Sequence, residues 1–404
     1  MKVRAAAAAF CAGWTLMMLE ILAGRLMAPW FGQSVQQWGA LIGCVMTAMA
    51  LGAAWAAGTP LFGKALLAAF AELGQVPGMI LGAAAIAGVP AFALAAVSPA
   101  CAAALAGEDG AGPAAGRAAA LSTLGSIGGT FFAAFVAIPY LGVALSYVVA
   151  TLIAAVGGLA VGFRADARLA AAGLGALAAG FAVERQEAAR LLLALETTHN
   201  SIQVAARDDG AVVLTTGGNG VVQSKARPDG GPTGMYYDAL PAAPALSAGG
   251  ERPRVLVLGV AGGSGLTAIA RAWPQADVLG VELDPGMTFA GRAHFDLTAP
   301  VVHADARRFA ETDQALYDVV LTDVYTGGVV PFHVATAEYF AAAARRLSPG
   351  GVAVVNACRC GGGEALPGAL AATMATAFGT GAAADAPGGN VLLFAWREPG
   401  VDLA

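Results

Sequence analysis

The sequence is organised around Arg254-Val-Leu-Val-Leu-Gly-Val-Ala-Gly-Gly-Ser-Gly-Leu-Thr-Ala-Ile-Ala270, which is followed by Val278-Leu-Gly-Val-Glu-Leu-Asp-Pro285. An apolar run, a glycine cluster and an Ala/Ile-rich run at helical spacing predict a strand, a tight turn and a helix. Four glycines form the turn: Gly259, Gly262, Gly263 and Gly265. They would let a ligand approach the backbone and the first amides of the helix. The pattern is typical of the opening of a nucleotide-binding βαβ unit.

The residue that ends the next strand indicates which kind of nucleotide the turn would bind. Glu282 stands where a carboxylate can accept hydrogen bonds from both hydroxyls of a ribose. The glycine spacing Gly-x-x-Gly-Gly-x-Gly does not call for a pyrophosphate-binding site. It therefore favours a single nucleoside of the S-adenosylmethionine type over a dinucleotide.

Composition divides the chain into an apolar half and a polar half. The 404 residues are 57% hydrophobic and 12% charged, with a mean hydropathy of +0.67, which is outside the range of soluble globular proteins. Residues 1–183 hold long apolar runs, whereas residues 184–404 carry most charges and all four histidines. A net charge of −5 without a basic cluster argues against nucleic acid as a partner. No Cys/His set has zinc spacing, so no metal site is expected.

The apolar half predicts a multi-pass α-helical membrane domain over residues 1–183, with the lipid bilayer as its partner. The apolar runs long enough to cross a bilayer lie near 5–24, 36–57, 65–85, 89–106, 117–138 and 141–163, and a shorter run covers 167–183. Small residues such as Gly125 and Gly129 would let helix backbones approach closely. The loop cations favour a cytoplasmic amino terminus and second half, which requires an even number of crossings. Either 167–183 does not span the bilayer, or one run between 65 and 106 is not a span.

The polar half predicts two further parts. Residues 184–250 read as a small antiparallel β-sheet, near 195–224, followed by a Pro/Gly-rich linker. Residues 251–404 alternate strand and helix, which predicts a doubly wound, Rossmann-like α/β domain. Its strands are expected near 254–259, 277–282, 300–303, 317–323, 351–357 and 390–396.

Candidate site residues follow the strands, because ligands of such sheets bind beyond the carboxyl ends of the strands. Asp305 could accept from an adenine amino group, and Asp323 would lie beside the reacting atoms. Either aspartate could instead be only a helix cap or turn former. Tyr236 and its neighbours in the linker could line a cleft, and His199 is the histidine expected nearest to it.

The polar half resembles the polyamine aminopropyltransferases, the family of spermidine synthase. The resemblance is carried by Glu196-Thr-Thr-His-Asn-Ser-Ile-Gln-Val204, Gly220-Val-Val-Gln-Ser224, Tyr236-Tyr-Asp238, Val255-Leu-Val-Leu-Gly-Val-Ala-Gly-Gly263, Val281-Glu-Leu-Asp-Pro285, His303-Ala-Asp-Ala306 and Leu321-Thr-Asp-Val-Tyr325. The apolar half is similar to membrane segments fused to some bacterial members, through Glu20-Ile-Leu-Ala-Gly-Arg-Leu-Met-Ala-Pro-Trp-Phe-Gly32 and 115–129.

This resemblance implies a donor, a product and a place in the cell. The donor would be decarboxylated S-adenosylmethionine or S-adenosylmethionine itself, used as a substrate without a prosthetic group. Cleavage of its Cγ–S bond would release methylthioadenosine. The protein would sit in the inner membrane of a bacterium with its catalytic domain in the cytoplasm, and it could form a homodimer.

The resemblance also implies residue roles. Asp323 would be the catalytic proton acceptor for the incoming amine. The nucleoside would be bound by Asn200, Gln223, Tyr236, Gly259, Gly262, Gly263, Glu282, Asp305 and Ala306. The second substrate would contact Tyr237, Asp238 and Tyr325.

Two departures from the family pattern leave the reaction open. The family carries an aspartate at the position of Gly262 and another at the position of Thr326, and both grip ammonium groups. Losing such charge-assisted bonds would cost roughly 1.5–3 kcal/mol each. The enzyme therefore either transfers an aminopropyl group to an amine or acts as a lyase that converts S-adenosylmethionine to methylthioadenosine and homoserine lactone. A methyltransferase and a non-catalytic nucleoside sensor are weaker alternatives.

Overall fold

The structure of the chain is a computed structural model that describes residues 2–31, 35–49, 67, 69–88, 91, 94, 97–106, 110–160, 191–216, 221–326, 328–359, 365–378 and 381–397. The chain divides into two compact units, Met1–Arg190 and Leu191–Ala404.

The described part of the first unit is helical. Its helices are α1 (Lys2–Phe31), α2 (Val35–Met49), α3 (Gln75–Ala83, continued by a π-helical turn at Ala84–Gly88), α4 (Val97–Leu105), α5 (Ala111–Phe132, continued by a π-helical turn at Ala133–Ala137) and α6 (Ile138–Ala160). Helix α6 is kinked at Gly142, where φ is 72° and the helical hydrogen bonding is interrupted.

Glycines allow α1 and α5 to pack backbone against backbone. A Cβ atom on Gly125 would lie 2.0 Å from the Phe10 carbonyl oxygen, and one on Gly129 would lie 2.2 Å from that of Trp14. The Ser126 hydroxyl donates to the Gly13 carbonyl oxygen across the same contact, at 3.2 Å. Close approach through small residues, as the sequence predicts, is how apolar helices associate where burial in lipid gives no advantage.

The helices support membrane association only in coarse form. Among the described residues, two helical stretches are long and apolar enough to cross a membrane by length and composition, namely Lys2–Ala28 and Ala111–Gly158. The expected span at 65–85 is wrong as one helix, because a turn interrupts it at 72–74, where Gly74 has a φ of 96°. The runs at 117–138 and 141–163 fall in one helical stretch that is kinked at Gly142. The expected segment at 167–183 lies outside the described residues.

The second unit begins with the small antiparallel sheet that the sequence predicts. Its strands, in spatial order, are β1 (Leu193–Glu196), β2 (Ser201–Ala206), β3 (Val212–Thr216) and β4 (Val222–Ala226). Its buried face is formed by Ile202, Val204 and Leu214, which pack against Met287 and Ala290. The linker that follows contains short 3₁₀ turns at Tyr236–Asp238, Leu240–Ala242 and Pro244–Leu246.

The larger sheet has seven strands and confirms the Rossmann-like prediction. Its strands are β5 (Arg254–Leu258), β6 (Asp277–Glu282), β7 (Val301–His303), β8 (Tyr317–Thr322), β9 (Leu347–Cys358), β10 (Gly381–Ala386) and β11 (Asn390–Trp396). Their spatial order is β10-β11-β9-β8-β5-β6-β7. Strands β5 to β9 are parallel, β11 is antiparallel to its neighbour β9, and β10 is antiparallel to its neighbour β11. The helices between them are α7 (Ser264–Ala272), α8 (Pro285–His294), α9 (Ala306–Thr312), α10 (Ala337–Arg345) and α11 (Ala365–Phe378).

Strand β5 lies at the centre of the seven-stranded sheet, next to the end at which sheets of this kind bind ligands. Leu256 and Leu258 pack into the core on one face of the sheet, and Val255 and Val257 pack on the other. Burial on both faces explains the uninterrupted apolar run in the sequence. Because the chain continues to β6 on one side of β5 and later places β8 on the other, the strand order reverses at the carboxyl ends of β5 and β8, where sheets of this kind bind their ligands. Strand β10 was not predicted from the sequence.

Candidate active site

The turn after β5 adopts a backbone that its sequence makes possible. Gly259 has a φ of 90° and Gly263 a φ of 89°, while Ala261 between them has a φ of 50°. A Cβ atom on Gly259 would lie 2.1 Å from the backbone oxygen of Asp323. The turn and the end of β8 therefore touch, which a side chain at Gly259 would prevent.

The carboxylate of Glu282 holds this turn in place. One oxygen, Oε2, accepts from the backbone nitrogens of Val260 at 3.0 Å and Ala261 at 2.8 Å. The other, Oε1, accepts from the backbone nitrogen of Asp284 at 3.0 Å. Burial raises the pKa of Glu282, and these three amide hydrogen bonds act in the opposite direction. Each carboxylate oxygen has more than one acceptor site, so the group could still receive ribose hydroxyls.

Gly262 packs tightly against the small sheet. Its backbone nitrogen donates to the Ser224 hydroxyl at 2.9 Å. An added Cβ atom would lie 2.9 Å from the Ser224 Cβ and 3.2 Å from a Leu214 methyl carbon. An aspartate at position 262 would thus require Ser224 to move.

Asp323, at the end of β8, is held by two side chains from distant parts of the unit. The Tyr236 hydroxyl donates to Oδ2 at 2.5 Å, and the Asn356 amide donates to Oδ1 at 2.8 Å. Asn356 is itself fixed by Asn390, whose amide donates to the Asn356 Oδ1 at 2.7 Å. Tyr236, Asn356 and Asn390 are all buried. This cluster presents a carboxylate beside the glycine turn.

Burial controls protonation in this cluster. It raises the pKa of Asp323, against the lowering effect of the hydrogen bonds from Asn356 and Tyr236. Burial also raises the pKa of Tyr236, and the nearby Asp323 charge adds to that rise. The phenol therefore keeps its proton, while the carboxylate is a stronger base than an exposed aspartate.

Asp305 caps a helix and contacts a histidine. Its Oδ1 accepts from the backbone nitrogen of Arg308, which makes it the N-cap of α9. Its Oδ2 lies 3.1 Å from Nε2 of His333. Ala306 follows as the first residue of α9 and is buried. The capping alternative that the sequence left open is present, and Oδ2 remains the oxygen that could meet an adenine amino group.

Asn200 is engaged with Asp284 rather than free. Its side-chain amide donates to Oδ2 of Asp284 at 2.8 Å, and the Thr197 hydroxyl donates to the same oxygen at 2.7 Å. Asp284 is buried and also caps α8 through Gly286. These bonds tie the loop between β1 and β2 to the strand end that carries Glu282.

Gln223 sits at an irregularity of β4. Its neighbours Ser224 and Val222 pair with Leu214 and Thr215 of β3, so Gln223 is the extra residue of a β-bulge. Bulges redirect side chains and are common next to active sites.

The three residues predicted to contact a second substrate have different surroundings. Tyr237 is 2% exposed, and its hydroxyl has no hydrogen-bond partner in the described part of the chain. Asp238 accepts from Thr233 and from the backbone of Gly234, so its carboxylate stabilises the linker turn. The Tyr325 hydroxyl donates to the Asn356 backbone oxygen and accepts from the Cys358 nitrogen.

Sequence reasoning missed several residues of this site. Asn356, Asn390 and Asp284 were not singled out, and neither was His333, which contacts Asp305. His199 is exposed in the loop before Asn200. A polar residue near the end of an apolar strand, as Asn356 is after four apolar residues, is the signal that could have identified it. Among the described residues, no group of three or more His, Cys, Asp or Glu side chains could hold a metal ion.

Comparison with known proteins shows what the chain is similar to. No protein-family model matches the chain. A probable polyamine aminopropyl transferase of Bifidobacterium longum is 35% identical over 211 residues, which is 51% of this chain and 46% of that protein. The chain is related to the polyamine aminopropyltransferases. A polyamine aminopropyltransferase of Vibrio vulnificus is 31% identical over 110 residues, 26% of this chain and 37% of that protein. The chain thus spans less than half the length of these two aminopropyltransferases.

Solved structures of spermidine synthases are also similar to the chain. A probable spermidine synthase from Corynebacterium glutamicum has 27% identity and a TM-score of 0.42, over 49% of this chain and 77% of that one. Spermidine synthase from Thermotoga maritima has 18% identity and a TM-score of 0.44, over 53% of this chain and 74% of that one.

Proposed function

We propose that the second unit is an aminopropyltransferase that moves an aminopropyl group from decarboxylated S-adenosylmethionine to an amine and releases methylthioadenosine. One observation carries the proposal: the half-buried Asp323 carboxylate is held by Tyr236 and Asn356 at the carboxyl end of β8, and its backbone touches the glycine turn at Gly259. A base beside a nucleoside-binding turn is what this transfer needs.

The reaction balances with the groups present. The amine nitrogen attacks the Cγ carbon bonded to the sulfonium, and the Cγ–S electron pair passes to sulfur. The sulfonium thereby becomes the neutral thioether of methylthioadenosine. The proton that the amine loses goes to Asp323. Because the sulfonium is already a good leaving group, the protein contributes mainly orientation and removal of this proton.

The donor would lie across the ends of β5, β6 and β7. In this proposal Glu282 accepts from the ribose, while Asp305 and the Ala306 backbone meet the adenine. The glycines of the turn leave room for the nucleoside. Asn200, just before β2, and Gln223, in β4, lie toward the same end of the small sheet and would border its tail, and Tyr236 would contact both the tail and Asp323. No prosthetic group is required.

The amine would lie on the other side of Asp323. Tyr237 supports this placement, since its buried hydroxyl has no hydrogen-bond partner among the described residues and a substrate could supply one. Asp238 and Tyr325 stay candidates for contact with the amine, although both are engaged within the protein.

One observation favours a second candidate, an S-adenosylmethionine lyase. Position 262 is a glycine packed against Ser224, and Thr326 occupies the other position in a short backbone bridge with Val329, so neither position carries a carboxylate. A site without these two charges grips ammonium groups less strongly and repels a carboxylate less. In that reaction the carboxylate of S-adenosylmethionine attacks its own Cγ, giving homoserine lactone and methylthioadenosine.

We further propose that the first unit anchors the enzyme in the inner membrane of a bacterium by several helices, with the second unit in the cytoplasm. The two long apolar helical stretches support an anchor in lipid. We also propose that the protein forms a homodimer and that both of its substrates are small molecules.

The test is to incubate the purified full-length protein with decarboxylated or intact S-adenosylmethionine, with and without putrescine. Products are identified by mass spectrometry. Methylthioadenosine that requires the decarboxylated donor and an amine supports aminopropyl transfer. Methylthioadenosine formed from the intact donor without an amine supports the lyase. Adenosylhomocysteine, or no product with either donor, would refute both.

A further inference from the structure

Two asparagines on neighbouring strands connect the core of the sheet to Asp323. Asn356 lies near the carboxyl end of β9 and is 3% exposed, and Asn390 is the first residue of β11 and is 5% exposed. The Asn390 amide donates to the Asn356 Oδ1 at 2.7 Å, and the Asn356 amide donates to the Asp323 Oδ1 at 2.8 Å. The three side chains form one chain of hydrogen bonds with a single direction.

That direction has a chemical consequence. A side-chain amide has one donor end and one acceptor end. Since Asn390 donates to the acceptor end of Asn356, the donor end of Asn356 is turned toward Asp323. An ionised carboxylate can only accept, so this arrangement suits the ionised form of Asp323.

We propose that Asn356 and Asn390 are positioning residues that orient the Asp323 carboxylate and set the pH above which it accepts a proton. This inference rests on the proposed function, because it assigns a purpose to the base of that reaction. Asn356 acts on Asp323 directly, and Asn390 acts through Asn356. Neither is assigned a contact with substrate.

Among the described ionisable groups that face Asp323, its own carboxyl is the group that changes protonation in the pH range in which a carboxyl ionises. In the described part of the chain, the ionisable side chains that interact with the Asp323 charge are Tyr236, Tyr237 and Tyr325, and burial raises the pKa of each phenol. All three therefore stay neutral across the range in which a carboxyl ionises. Asn356 contributes the largest of the effects that lower the Asp323 pKa, opposing burial. Removing its amide should raise the pKa of Asp323 further.

The test compares three substitutions in the full-length protein purified in detergent micelles. Asn356→Ala removes the donor to Asp323. Asn390→Asp keeps the shape but offers only acceptors, so the Asn356 amide should rotate and turn its oxygen toward Asp323. Thr322→Val is the matched control, since it removes a buried hydrogen bond to Tyr339, 2.8 Å long, one residue from Asp323.

Two readouts separate a positioning role from a structural one. The first is the pH dependence of kcat and KM for methylthioadenosine release from decarboxylated S-adenosylmethionine and putrescine. The acid limb of kcat should move up by about one pH unit in Asn356→Ala, and at least as far in Asn390→Asp. Turnover should recover at alkaline pH, KM should change little, and Thr322→Val should keep the wild-type midpoint.

The second readout does not depend on activity. Infrared difference spectra taken between acid and alkaline pH follow the carboxyl stretch that Asp323→Asn removes. Its midpoint should shift with the two asparagine variants as the acid limb does. If wild type forms no methylthioadenosine but the carboxyl midpoint still moves, the proposed function fails and the asparagine inference stands. A wild-type midpoint in folded Asn356→Ala protein, or an equal loss of turnover at every pH, would overturn the inference.

Discussion

Glu282 and Asp323 end two strands on either side of the central strand, yet the protein holds them in opposite ways. Glu282 accepts from three backbone amides, all within 22 residues of it in the chain. Asp323 accepts from two side chains, one 87 and the other 33 residues away. Both carboxyls have a pKa raised by burial. A carboxylate bound to backbone belongs to the scaffold of a turn, whereas one held by side chains can gain or lose a proton without disturbing the backbone.

The largest expected effect is on turnover when Asp323 becomes Asn. If Asp323 accepts the proton of the amine, Asp323→Asn should lower kcat by about 10²–10⁴-fold. Binding of methylthioadenosine, measured by calorimetry, should change little because the nucleoside turn keeps Glu282. Unchanged turnover would remove Asp323 from the chemistry.

The same variant should be more stable than wild type at alkaline pH. Burial raises the Asp323 pKa above that of the unfolded chain, so the folded state favours the protonated form. The stability from this group is full below the unfolded pKa and is lost as pH rises through the folded pKa. The unfolding temperature of Asp323→Asn should exceed that of wild type at pH 8, and the difference should shrink toward pH 4. A gain at pH 4 as large as at pH 8 would contradict the assignment.

Substitution of Glu282 should differ from substitution of Asp323, because nucleoside binding and folding stability both depend on the hydrogen bonds of the Glu282 carboxylate. Glu282→Ala leaves three backbone amides without an acceptor, which should lower the free energy of unfolding by about 1–3 kcal/mol. It should also weaken methylthioadenosine binding by about tenfold or more, and Glu282→Gln should lose less of both. An unchanged dissociation constant in Glu282→Ala would contradict its place on the ribose.

The sequence could predict Glu282 and Asp323 themselves because each follows an apolar run that reads as a strand. It could not show what surrounds them. Tyr236 reaches Asp323 from 87 residues away, and a tertiary contact of that length has no local pattern. Local evidence did predict that Asp305 could be a cap, since Asp is a favoured N-cap residue. The use of its second oxygen by His333 depends on where a distant loop returns.

The fold shows the same division between local and distant causes. The parallel strands were predicted because burial on both faces makes them uniformly apolar. Strand β10 was missed because its alanines favour helix, and pairing with β11 overrides that preference. The turn at Gly388 and Gly389, both with positive φ, was the available signal for this hairpin. Apolar composition alone also hid the turn at Gly74 within an expected span.

A smaller effect is expected at Asp305, whose two oxygens have separate partners. Asp305→Ala removes the cap of α9 and should cost about 1 kcal/mol, or about 2–4 °C in unfolding temperature. Asp305→Asn keeps a capping oxygen and should unfold within about 1 °C of wild type. If Asp305 meets the adenine amino group, Asp305→Ala should weaken methylthioadenosine binding beyond this loss of stability. Equal binding by wild type and both variants would show that the residue is only a cap.

The smallest effect on the folded protein is expected at Tyr237, for which Tyr236 provides a matched comparison. Tyr236→Phe removes a donor to Asp323 and should lower turnover most at acid pH, because the Asp323 pKa rises further. Tyr237→Phe removes a buried hydroxyl without a partner, so thermal unfolding should be unchanged or rise by about 1–3 °C. If that hydroxyl contacts the amine, KM for putrescine should rise in Tyr237→Phe while methylthioadenosine binding stays the same. A lower unfolding temperature with an unchanged KM would mean that the hydroxyl serves packing, and the amine would then have to be held by other groups near Asp323.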